Sequence, residues 1–223
     1  MYEREPFAKF MARLRWKQGE HLLIAAPTQC GKSTLASYLV ARRGNVVVLA
    51  SKRHDKNLLA RYADYTRIPT WKPAAGRRLL LWPKGQPTNA QTIVHQRGIF
   101  RDALDGVSRT RGWCVVVDEA HWCTEFLQLG KEIAVLHHQG SSSGISMVTL
   151  TQRPAWIPRI AYSSSSHVFL GGTTDKDDLK ALSDLGGVNA QEVKATVARL
   201  GRHDLLYLNP MGDAPPAVIN IRQ

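Results

Sequence analysis

The chain has 223 residues, enough for one domain with a short appendage and too few for two full nucleotide-binding folds. With 43% hydrophobic and 22% charged residues it can bury a core, which excludes a disordered or low-complexity protein. Lys plus Arg number 30 against 18 Asp plus Glu, a net charge of +12 that points to a polyanionic partner, nucleic acid before an anionic membrane.

Residues 1–17 alternate charges with Phe7, Phe10, Met11, Leu14 and Trp16, without the apolar run or cleavage site of a secretory signal; residues 1–20 read as a basic, aromatic N-terminal extension. From there short β-rich runs alternate with helical ones. Residues 21–26 read as a strand, 32–42 as a helix stopped at Gly44, and 45–51 as a strand. A helix at 57–65, a loop through Pro69, Pro73 and Gly76, and a strand at 79–82 follow. Next come a helix at 88–104, a strand at 113–117, a helix at 124–138 and a strand at 145–151. Strands at 167–170, 205–208 and 217–221, with helices at 175–185 and 190–200, complete the pattern. This alternation predicts a single α/β domain over 21–223 with a largely parallel sheet. The longest apolar runs, such as Val46 to Ala50, are strand-sized, well short of the roughly 18 residues of a membrane helix. Three cysteines without metal-ligand spacing fit a reducing cytoplasm.

Between the first strand and its helix lies Ala26-Pro27-Thr28-Gln29-Cys30-Gly31-Lys32-Ser33-Thr34, a phosphate-binding loop except that its first glycine is Ala26. A loop of this length wraps backbone N–H groups around phosphates at a helix N-terminus. Gly31 permits close approach, Lys32 reaches the outer phosphates, and the Ser33 hydroxyl ligates Mg²⁺. The strand 113–117 delivers Asp118 and Glu119 at its carboxyl end: Asp118 suits the Mg²⁺ shell, and Glu119 suits the polarising of an attacking water. Acidic pairs at strand ends also cap helices, but here both motifs end at one edge of a parallel sheet, where ligands bind. Gln152 leaves a third strand end before Pro154; its amide can reach a γ-phosphate or water, or simply face solvent in a turn.

The order strand-loop-Gly-Lys-Ser, strand-Asp-Glu, strand-Thr151-Gln152-Arg153-Pro154 resembles the FtsK/HerA superfamily of DNA-pumping P-loop ATPases, which includes cell-division translocases, conjugation coupling proteins and viral packaging ATPases. The resemblance implies a RecA-like P-loop fold of the ASCE type, ATP and Mg²⁺ as cofactors, and a homo-oligomeric ring translocating double-stranded DNA in the cytoplasm, or the host cytoplasm for a virus. Its packaging branch implies a capsid portal as a further partner. A ring implies an arginine acting on the neighbour's nucleotide, with Arg153 and Arg159 as candidates and Arg101 behind them. Asp118-Glu119-Ala120-His121 also spells the box of a DEAH helicase, whose tandem second domain the length bound excludes; a DEAH-helicase-like or plasmid-transfer ATPase acting with a partner chain, or an ATP-dependent binding switch, stands as the alternative.

The charge is uneven. Between Arg42 and Lys84 eleven basic residues face two acids, so +9 of the +12 falls there. Lys52, Arg53, Lys56, Arg61, Arg77 and Arg78 are the expected DNA-backbone contacts, with Tyr62, Tyr65, Trp71 and Trp82 either stacking on bases or packing beneath the loop.

Overall fold

In the computed structural model, which describes residues 2–52, 54–182 and 188–222, ten strands form one sheet in the order β1-β10-β9-β8-β2-β7-β6-β3-β5-β4. The central strands are β2 (His21–Ala25), β3 (Asn45–Leu49), β6 (Trp113–Val117), β7 (Ser146–Thr151) and β8 (Ser165–Leu170), with β4 (Thr66–Ile68) and β5 (Arg78–Leu81) closing one side. All seven run parallel. On the other side β9 (Asp204–Leu208) is antiparallel to both β8 and β10 (Ala217–Asn220).

The near-continuous apolar runs of β2, β3 and β6 follow from burial on both faces, the condition of a parallel sheet covered by helices. Alternate residues point to opposite layers. Leu22, Ile24, Val46, Val48 and Val116 pack with α1 (Phe7–Arg13) and α2 (Lys32–Val40), through Phe10, Leu35 and Leu39. Val47, Leu49, Val115 and Val117 face α4 (Asn89–Ser108) and α5 (Gly130–Gln139), while Leu23, Val168 and Leu206 face α8 (Ala190–Val197).

Several elements differ from their sequence expectation. The N-terminal twenty residues are integrated rather than appended: β1 (Arg4–Glu5) pairs with β10, and Phe10 is fully buried against Phe169 and Tyr207. The expected helix at 57–65 is shorter, α3 (Lys56–Arg61), and the chain then forms edge strand β4, whose three residues are too few to show a period. The expected helix at 124–138 splits into a π-turn, Trp122–Phe126, and α5. α4 runs to Ser108 from a Thr88/Gln91 capping box. Two further short helices are α6 (Arg159–Ser163) and α7 (Lys176–Ala181); residues 183–185 of the helix expected at 175–185 lie outside the described residues.

Sheet order positions the site. Because β7 inserts between β2 and β6, the three polar strand ends, at Ala26, Gln152 and Asp118, stand side by side at one edge.

Candidate nucleotide site

The loop from Ala26 to Gly31 turns through two left-handed residues, Gln29 (φ 62°) and Gly31 (φ 92°), before α2 begins at Lys32. The left-handed backbone at Gly31 favours glycine, and a Cβ there would also lie 1.7 Å from Ile221 Cδ1 and displace that side chain. Ala26, in place of the usual first glycine, is accommodated by Gly171, just past the neighbouring strand β8, where a Cβ would come within 2.4 Å of the Ala26 methyl. The Ala26 amide donates to Thr151 O, which ties the loop to β7.

Lys32 is 9% exposed, and its ammonium donates to Ala26 O (2.7 Å) and Pro27 O (2.9 Å), spanning the loop's mouth. Burial lowers its pKa, while Glu119, Cys30 and Asp118 oppose that shift. Ser33 Oγ donates to Asp118 Oδ1 at 2.9 Å. Asp118 is 5% exposed; burial raises its pKa, against the Ser33 hydrogen bond and Lys52, which lower it. A hydroxyl and a buried carboxylate brought into contact beside the phosphate loop are a hard-oxygen donor pair that fits Mg²⁺.

Glu119 and Gln152 meet: the amide nitrogen of Gln152 donates to both Glu119 oxygens at 3.2 Å, and its oxygen accepts from Thr28 Oγ1 at 3.0 Å. Thr28, Gln152 and Glu119 thus form one chain from the loop to the carboxylate. Cys30 is buried, which raises its thiol pKa.

Two expected DNA contacts are found here instead. Lys52, just past β3, pairs with Glu119 Oε1 at 2.5 Å, and Arg61 Nε donates to Thr34 Oγ1 at 3.0 Å. Burial lowers the Lys52 pKa, and the hydrogen bond and charge of Glu119 outweigh it, for a net rise. Both residues line the same cleft as Thr28, Lys32, Ser33 and Asp118. Their strand and helix lie next to β6 and α2, so fold position rather than local sequence sets this role. Arg78 pairs with Asp64 and donates to Ala41 O. Lys56 and Arg77 are exposed, and Arg53 lies outside the described residues. Tyr62, Tyr65 and Trp82 are buried and Trp71 packs on Trp113, so these aromatics serve the core.

Of the arginines beside the glutamine strand, Arg153 is engaged within the chain by Asp175 (2.5 Å) and Asp178 (3.3 Å), and Arg101 by Glu132. Arg159 is exposed at the start of α6 and has no ion pair among the described residues. His121, within the DEAH spelling, stacks on Trp156 at 4.5 Å, and its Nδ1 has no hydrogen-bond partner among the described residues.

One part of the site had no sequence signal. Arg202, in the turn before β9, donates to Gln29 Oε1, and a cleft of about 290 Å³ opens beside it, lined by Pro27, Cys30, Thr173, Val197 and Leu200. No described helix is long and apolar enough to cross a membrane.

No family model matches this sequence, and no curated protein matches it. Solved structures do. The genome packaging NTPase B204 from Sulfolobus turreted icosahedral virus 2, in complex with sulfate, superposes with a TM-score of 0.64 at 12% identity, over 92% of this chain and 98% of that one. VirB4 of Thermoanaerobacter pseudethanolicus gives 0.61 at 12% identity, over 90% and 88%. The pCW3 conjugation coupling protein TcpA, in a monomer form with ATPγS, gives 0.56 at 13% identity, over 91% and 60%. At such identities the likeness establishes the fold: this chain has the α/β architecture of the P-loop ATPases, with its phosphate loop, acidic strand end and glutamine strand at one sheet edge.

Proposed function

We propose that the chain is a Mg²⁺-dependent ATPase of the FtsK/HerA kind, working as a homo-oligomeric ring that translocates double-stranded DNA in viral genome packaging. The observation that carries the ATPase part is the contact of Gln152 with Glu119 beside the Ser33–Asp118 pair, four side chains from two strand ends and the first turn of α2 gathered at a phosphate loop. Packaging rests on the likeness to B204, which spans nearly the whole of both chains, and on the excess of positive charge.

The residues divide the work. Lys32 exchanges the Ala26 and Pro27 carbonyls for the outer phosphates, where its charge is better compensated. Ser33 and Asp118 would hold a Mg²⁺, which would supply positive charge to the phosphates as negative charge develops there. Glu119 takes a proton from water as its oxygen attacks the γ-phosphorus; the bond to the bridging oxygen breaks, giving ADP and phosphate. Lys52 and Gln152 hold that carboxylate in place. The base of the nucleotide lies in the cleft between Pro27, Leu200 and Arg202.

A pure binding switch has no use for a glutamate so placed. In a ring, Arg159 is the arginine left to act on a neighbour's nucleotide.

The deciding experiment is an ATPase assay with and without duplex DNA, beside a mass measurement in a non-hydrolysable ATP analogue. DNA-stimulated turnover and an analogue-dependent oligomer are expected. A monomer that hydrolyses ATP at the same rate without DNA contradicts the motor.

A further inference from the structure

The basic segment between Arg42 and Lys84 does not form one surface. Arg42 and Arg43 hold the N-terminal segment, Arg42 by donating to Met11 O and Arg43 by stacking on Trp16 at 3.7 Å and donating to Lys17 O. Lys52 and Arg61 turn to the nucleotide site, and Arg78 to Asp64. Beyond these, a cleft of about 430 Å³ opens past the carboxyl ends of β4 and β5, lined by His54, Arg67, Trp82, Pro83, Lys84 and Gly85. Its wall carries Arg67, Lys84 and a histidine, and no carboxylate among the described residues.

Trp82 decides what kind of ligand suits it. The Arg67 guanidinium lies over the Trp82 ring at 4.7 Å, and Trp82 is only 5% exposed, so its ring is not free to stack on a base. The stack instead restrains the Arg67 fork, and a restrained planar guanidinium loses little entropy when it takes two phosphate oxygens. Arg67 and Lys84 are exposed, and neither has an ion pair among the described residues. Cations held without a counter-charge in a concave wall recognise phosphate, not sequence.

We propose that this cleft seats backbone phosphates of duplex DNA, an inference that rests on the motor reading above. β4 and β5 run parallel to β3 and β6, so the cleft shares the sheet edge of the nucleotide site. Two inter-strand spacings, roughly 10 Å, separate β5 from the strand that delivers Asp118. His54 follows two residues after Lys52, so a backbone bound here lies next to the residue that pairs with Glu119.

The test is fluorescence anisotropy of a labelled duplex of mixed sequence, titrated over a range of salt. Lys84→Glu is expected to weaken binding by about tenfold and to lower the slope of log affinity against log salt by about 1; the pair Arg67→Ala with Lys84→Ala lowers it by about 2. Lys131→Glu, an exposed residue on α5, reports loss of charge alone and is expected to stay within about twofold of the parent. Because unstacking Arg67 from Trp82 can unfold the edge, Lys84→Glu carries the test by itself, with melting curves run on each variant. If Lys84→Glu loses no more affinity than Lys131→Glu, the cleft is not the seat. If the parent chain binds no duplex at any salt, the motor reading fails and takes the proposal with it.

Discussion

Lys52 Nζ lies 2.5 Å from Glu119 Oε1, so the carboxylate proposed to activate water is held by an ammonium group. Under the proposed function, a γ-phosphate bound beside Lys32 would offer Lys52 a competing anion, and the same cation would help distinguish ATP from ADP. Lys52→Ala is therefore expected to weaken ATPγS binding by about tenfold, the worth of one charge-assisted hydrogen bond, and to leave ADP affinity nearly unchanged. Calorimetric titrations of both nucleotides check this. An equal loss for each makes Lys52 a structural residue.

Ala26 and Gly171 form a complementary pair, one supplying the methyl that the other leaves room for. Gly171→Ala is expected to cost about 1–3 kcal/mol through the 2.4 Å clash, and adding Ala26→Gly should recover part of that loss. Urea denaturation of the two single variants and the double variant measures the coupling. Strict additivity contradicts the pairing.

The phosphate loop and the acidic strand end were legible because each is local: an apolar strand, a fixed spacing, a helix. Gln152 was legible as a strand end, and its bond to Glu119 follows once β7 is known to lie between β2 and β6. Lys52 and Arg61, expected at the DNA backbone, contact Glu119 and Thr34, because charge density along the chain does not reveal which strand end or helix points a side chain into the cleft. The contacts of Arg202 and Ile221 with the loop join residues far apart in sequence, through the ends of β9 and β10, and no spacing rule reaches them. β4 and the π-turn failed for another reason. A three-residue strand and a five-residue wide turn are too short for hydrophobic periodicity to register.

Arg153 and Arg159 are separable by experiment. Arg153, paired with Asp175 and Asp178, should lower the melting temperature when replaced by Ala. Arg159→Ala should leave melting unchanged and reduce turnover, and mixing it with Glu119→Gln subunits should restore part of the activity if the arginine acts on a neighbour's nucleotide. No rescue at any mixing ratio removes Arg159 from that role.

His137 makes the fold sensitive to acid. Burial, then the neighbouring His21 and His138, push its pKa down to about 3, and its two ring nitrogens are occupied by Ser164 Oγ and Thr149 Oγ1. An unfolded histidine titrates near 6.5, so between that pH and about 3 the unfolded chain binds the extra proton. The stabilisation is full above the unfolded value and falls with pH below it, by up to about 1.4 kcal/mol per pH unit from this group. Urea midpoints at pH 7.5 and pH 5 should differ, and His137→Gln should flatten the dependence. An unchanged dependence assigns the acid sensitivity elsewhere.

The Glu119→Gln variant tests the catalytic assignment most directly, by ATP titration together with the time course of phosphate release. The geometry predicts that the variant binds ATP about as tightly as the parent chain, since Lys32, Ser33 and Asp118 are intact, while release slows at least about a hundredfold. Phosphate release at the parental rate would contradict it.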